Sequence, residues 1–105
     1  KFFIIRTMFH FYKWNLKQEV KNQQGALLAQ TDWAIVRKAD NGTAIPSNIQ
    51  TWRDGIRTKA TQMETAIDNA ADTDAVAALF LTYTIESDDS VTKSGILYDW
   101  PELAD

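Results

Sequence analysis

Covalent chemistry needs proton-carrying or nucleophilic groups brought together. The residues to weigh first are therefore His10, the acidic run Glu86-Ser87-Asp88-Asp89-Ser90, and Arg53 and Arg57 beside Trp52. His10 is the only histidine and stands in an aromatic run with no carboxylate close in sequence. It suits a pH-sensitive contact or, more simply, a packing role, because one imidazole falls far short of a catalytic constellation. No serine lies in a nucleophile-elbow pattern, and the four glycines form no phosphate-binding loop. The acidic run reads as a calcium candidate, with oxygens continuing at Ser90, Thr92 and Asp99. Lys93 then stands where an EF-hand loop requires glycine, and its ammonium would repel the ion. A solvated loop is the simpler reading. Arg53 and Arg57 lie one helical turn apart. With Trp52 they suit an anchor for a partner's carboxylates, or a helix whose Trp is core and whose Arg57 is supported by Asp54. The residues thus predict no catalytic site, no metal site and no cofactor.

The bulk properties agree with a binding or structural domain. The 105 residues suffice for one domain, 1–105, with a modest core. Hydrophobic residues make up 45% and charged residues 24%, with a net charge of −3, which argues against a general nucleic-acid binder. Seven of the eleven basic residues (Lys1, Arg6, Lys13, Lys17, Lys21, Arg37, Lys38) nevertheless precede residue 40. That asymmetry is the only support for a small DNA-binding or adaptor reading. The absence of cysteine excludes disulfides, thiolate zinc sites and thiol nucleophiles. The chain opens on Lys1 rather than Met, which reads as a trimmed, processed or incomplete chain. The apolar run Phe2–Trp14 is too short and too interrupted by charge to predict a membrane span, and it lacks a signal-peptide cleavage site.

The elements that must position these residues follow from periodicity. Residues 1–14 are rich in β-branched and aromatic types and predict a strand-like arm, covered on both faces or docked on another chain, with the start of a helix as the alternative. Residues 15–71 predict a helical hairpin. Asn15, with Gln18 three residues on, suits a helix start, and Leu16, Val20, Leu27 and Leu28 form a stripe reaching about Thr31. Thr31 or Asp32 then caps a short turn carrying Trp33, Ile35 and Val36, and Asp40-Asn41-Gly42-Thr43 is a turn. After Pro46, Ser47 and Gln50 have capping-box spacing. Ile49, Trp52, Ile56, Ala60, Met63, Ile67 and Ala70 recur at steps of three and four, predicting an amphipathic helix of roughly 24 residues and ~36 Å. Residues 72–105 predict a helix from Asp74 to about Tyr83 capped by Asp72, its run 75–81 buried all round, then a polar loop Glu86–Ser94. A short extended tail Ile96–Trp100 closes at Pro101. The fold class expected is mainly α (α+β).

The stretch from Leu27 to Arg57 resembles the phage tail assembly chaperone-like family of tailed bacteriophages. The motifs that carry the resemblance are Leu27-Leu28, Thr31-Asp32-Trp33, Trp52-Arg53-Asp54-Gly55-Ile56-Arg57, and the later Trp100-Pro101-Glu102. The match covers about Lys17 to Arg57 and the C-terminal pentad. Trp52 stands where tyrosine is usual, the helix runs on past Arg57, and an insertion containing the run 75–81 precedes Trp100. The chain therefore looks like an expanded variant. The resemblance implies a non-enzymatic viral protein of the virion tail, or of the host cytoplasm during assembly. Its partners would be tail, fibre or baseplate proteins, with homo-oligomers expected and neither nucleic acid nor membrane. It also implies roles: Asp32 capping the turn, Trp33 packed on Trp52 and Ile56 to clamp the hairpin, and Arg53 and Arg57 facing outward or holding Asp99 and Glu102 near Trp100.

Overall fold

The computed structural model describes residues 2–104, with side chains described for 6–104. The chain is mainly helical, as its periodicity predicts, and carries one small antiparallel sheet. The elements are α1 (Phe2–Ala29), α2 (Asp32–Asn41), α3 (Ser47–Asn69), α4 (Thr73–Ala77), β1 (Thr82–Ile85) and β2 (Val91–Ser94).

The strand-like arm expected over 1–14 is instead the first half of α1, within the described residues, and Asn15 lies inside the helix rather than at its start. The reason lies in what covers the run. Phe9, Leu16 and Val20, spaced by seven and four, face the core cluster of Ala60, Met63, Ile67, Ala70, Val76 and Leu97. A helix puts all three on one face, whereas a strand would split them between two. The helix also satisfies its own backbone polar groups where no strand partner is present.

α1 and α3 are antiparallel neighbours tied by three lysines one turn apart. Lys13 Nζ donates to the carbonyls of Asp68 (3.0 Å) and Ala70 (2.9 Å), Lys17 pairs with Asp68 (2.9 Å), and Lys21 pairs with Glu64. Lys13 thus satisfies carbonyls at the C-terminal end of α3, where the helix dipole also favours a cation. Every position named for the long stripe is buried: Ile49, Trp52, Ile56, Ala60, Met63, Ile67 and Ala70. The capping box does not form, because Ser47 is already helical and the Gln50 amide donates to Asp54 Oδ1 instead (2.9 Å). α2 ends on Gly42, whose left-handed φ of 77° lets its N–H reach the Lys38 carbonyl (2.9 Å).

Past α3 the chain departs from expectation. Asp72 does cap the next helix, its carboxylate accepting from Ala75 N–H at 2.8 Å. That helix stops at Ala77, however. Within the run 75–81 only Val76 is fully buried. The carbonyl of Leu79, which a longer helix would spend on residue 83, accepts from Ile96 and Leu97 N–H at 2.8 Å each. Phe80 bridges Leu97, and the chain leaves as β1. The loop expected over Glu86–Ser94 is the turn and second strand of a hairpin, registered Thr82↔Ser94 to Ile85↔Val91. Three threonines, Tyr83 and two aliphatics across the two strands supply the β-forming bias. In its turn Asp88 accepts from the Ser90 N–H (3.0 Å) and hydroxyl (2.6 Å), and Asp89 is left-handed at φ 67°.

The result is a plate of 59 × 44 × 16 Å with a radius of gyration of 17.8 Å. A compact chain of this length would have a radius near ~13 Å. A plate this thin cannot cover both faces of its helices, so large apolar side chains stay exposed, among them Met8, Phe11, Trp14, Trp33, Val36, Tyr83 and Ile85.

Candidate interaction site

An interaction site needs a geometry held by buried polar anchors, and Arg53 is the principal one here. Its side chain is 6% exposed. One guanidinium nitrogen donates to the Leu28 carbonyl (2.8 Å), the Thr31 hydroxyl (2.8 Å) and Asp32 Oδ1 (3.0 Å). α1 ends at Ala29, and Leu28 is one of its orphan carbonyls. The arginine therefore closes the α1 terminus, locks the Thr31 corner and sets the start of α2. Arg53 does not face outward, nor does it hold Asp99 or Glu102. Its Nε has no hydrogen-bond partner among the described residues, so the burial is incompletely compensated.

Asp32 is helical, and its carboxylate serves Arg53 rather than capping the turn. Trp33 does not clamp the hairpin. It is 51% exposed, with the Arg37 guanidinium 5.0 Å from its ring centroid. The inward residue of α2 is its neighbour Ala34, fully buried and about 100° further round the helix. Ile56 is fully buried in α3. Arg57 is exposed and pairs with Asp54 at 3.3 Å, the i,i+3 support expected of a solvated arginine.

Trp52 is held by a different partner. Its indole N–H donates to the Pro101 carbonyl at 2.8 Å. Pro101 Cγ also lies 3.6 Å from where a Cβ on Gly55 would sit, an ordinary packing distance, so the proline seats directly against this turn of α3. The Trp100 indole N–H donates to Gln23 Oε1 of α1 at 2.7 Å. Asp99 lies 2.9 Å from Lys93 and 3.9 Å from Lys59, and the Asn48 amide donates to the Ala104 carbonyl at 2.9 Å. The segment from Asp99 to Ala104 is thus a strap across α1 and along α3. Sequence reasoning named Trp52, Arg53 and Trp100 but missed Pro101, Thr31 and Gln23 as their respective partners.

Beside the strap lies an open groove of about 820 Å³, walled by Lys59 and Gln62 of α3, by Tyr83 and Lys93 of the hairpin, and by Trp100 and Glu102. Its two lysines both pair with Asp99. The hydrogen bond from Lys93 to Asp99 raises the Lys93 pKa above its ordinary value, with the attraction of the same carboxylate adding to it. Burial raises the Tyr98 hydroxyl, and the charge of Glu19 adds to the shift. In the hairpin turn, the Ser90 hydroxyl and N–H hold Asp88 below its ordinary range.

Four basic residues of the N-terminal third are engaged within the chain. Lys13, Lys17 and Lys21 bind α3, and Arg37 lies over Trp33. His10 is exposed, its ring 6.3 Å from that of Phe9. Among the described residues, no three His, Asp or Glu side chains converge as a metal site. No helix among the described residues is long and apolar enough to cross a membrane. Comparison with protein-family models, with curated proteins and with solved structures finds no match to this chain.

Proposed function

We propose that this chain is a non-enzymatic tail protein of a tailed bacteriophage, acting by protein–protein interaction as a tail-, fibre- or baseplate-associated component. One observation supports the reading above others. The separated motifs that carry the resemblance meet in two linked anchors on one helix: Thr31 and Asp32 on Arg53, and Pro101 on the adjacent Trp52. Residues that serve one another across 21 and 49 positions define a shaped scaffold. The thin plate, with apolar side chains open on its faces, suits a subunit that completes its surface against neighbours.

The test is mass spectrometry of purified particles of the phage carrying this gene, together with pull-down of its tail proteins from infected cells. Stoichiometric presence in particles supports a virion component. Absence from particles with retention on unassembled tail proteins assigns the chain to assembly alone. Absence from both overturns the proposal. Filter binding over a salt series examines the DNA-binding alternative, for which steep salt-dependent affinity is required.

A further inference from the structure

α1 carries two apolar stripes on nearly opposite sides. Phe9, Leu16 and Val20 turn into the core. Met8, Phe11 and Trp14 lie roughly 160° around the helix from them. They are 65%, 62% and 54% exposed, with Tyr12 at their edge at 38%. The rings of Phe11 and Trp14 stack, with centroids 6.0 Å apart and planes at 16°. A shallow notch of about 520 Å³ opens among Met8, Phe11, Tyr12 and Asn15. Lys13 is level with the C-terminal end of α3, and before it the α3–α4 link at Thr73 borders only the Met8–Tyr12 edge, so Phe11 and Trp14 stay open.

We propose that a second copy of this chain covers the stripe, the two α1 helices packing antiparallel about a twofold axis near Phe11. In that arrangement Met8 of each copy meets Trp14 of the other, and each notch receives an aromatic ring. The stripe and its flanks at Asn15 and Gln18 carry no charge, so two copies meet without repulsion. The four side chains expose on the order of 500 Å² per copy, so a pair buries about 1,000 Å², the lower bound of a specific interface. A lipid surface is a poorer occupant. Interfacial helices carry cations beside the apolar face, whereas Lys13 and Lys17 lie on another side and are bound to α3. An acidic partner finds nothing to grip on the stripe for the same reason.

The cysteine-free chain makes the test direct. Under mild oxidation Phe11→Cys gives a disulfide-linked dimer, and Thr58→Cys, exposed on α3, does not. Met8→Cys mixed with Trp14→Cys cross-links faster than either alone. In sedimentation equilibrium the wild-type chain reaches the two-chain mass by about 100 µM, as expected of a micromolar interface. Phe11→Glu stays at the one-chain mass with unchanged helical circular dichroism. A one-chain wild type at that concentration, or a dimer that survives Phe11→Glu, overturns the proposal. Self-cross-linking of Met8→Cys faster than the mixture overturns the antiparallel arrangement. Phe11-dependent flotation of a monomeric wild type with phosphatidylserine vesicles assigns the stripe to lipid instead. None of these outcomes bears on the tail assignment, which particle composition decides.

Discussion

The indole N–H of Trp52 reaches the carbonyl of Pro101 at 2.8 Å, joining the middle of the chain to its C-terminal strap. Trp52 is buried and Pro101 is exposed, so the carbonyl can turn to water when the donor is lost. Trp52→Phe is therefore expected to cost about 1 kcal/mol for the bond, plus a smaller packing loss. Truncation after Asp99 removes the bond, the Trp100 contact with Gln23 and the cover over Trp52, and is expected to cost about 3 kcal/mol. Urea denaturation of both variants checks the order. Equal midpoints would show that the strap contributes nothing beyond one hydrogen bond.

Arg53 and Asp32 form an unequal pair. Arg53 is 6% exposed and Asp32 is 56% exposed. Arg53→Met removes the charge-assisted bonds to the Leu28 carbonyl, the Thr31 hydroxyl and Asp32, leaving Leu28 and Thr31 bonded only to each other, and is expected to destabilise by about 2–3 kcal/mol. Asp32→Asn removes an exposed charge and is expected to cost below about 1 kcal/mol. Melting curves that place the two variants together, or reverse them, would remove Arg53 from its role as the anchor of the α1–α2 corner.

Two glycines give opposite expectations. A Cβ on Gly25 meets nothing within 4 Å, so Gly25→Ala is expected to stabilise α1 by about 1 kcal/mol. Gly95 has φ +93°, and a Cβ there would lie 2.1 Å from the Phe80 carbonyl oxygen. Backbone must move to admit it, so Gly95→Ala is expected to destabilise by more than about 1 kcal/mol. Hydrogen exchange should localise the loss to the hairpin and to the Ile96 and Leu97 amides.

Alkaline pH should weaken the fold through Tyr98. Its folded pKa is raised above the ordinary 10.0, chiefly by burial and then by Glu19. The unfolded chain therefore loses the proton first, and stability is full below pH 10.0 and declines as pH rises through the folded value. Lys93, raised by Asp99, acts in the same direction above 10.5. Tyr98→Phe should flatten the alkaline limb of a denaturation series. An unchanged limb would detach the loss from this hydroxyl. Asp88 acts oppositely: its pKa is lowered by Ser90, so its contribution is present above 3.8 and lost as pH falls.

By itself the sequence determined α3, the Gly42 turn and the Asp72 cap. A stripe at helical spacing needs only some core to face, a left-handed turn needs only its glycine, and a cap bonds three residues away. These are local properties, written within a few turns of chain. The first half of α1 was not legible, because apolar residues on two opposite sides of the run blur its period, and its backbone state depends on what covers it. The early end of α4 and the hairpin were equally hidden, since the Leu79 carbonyl is claimed by amides 17 and 18 residues later. The site divided in the same way. Trp52 was legible as a buried anchor, but Pro101 as its acceptor was not. The inward turn of Arg53 was decided by the Leu28 carbonyl 25 residues upstream, and the exposure of Trp33 by Ala34 taking the inward position on α2. Only tertiary structure brings such partners together, because hydrogen-bond satisfaction and burial are settled by neighbours in space rather than along the chain.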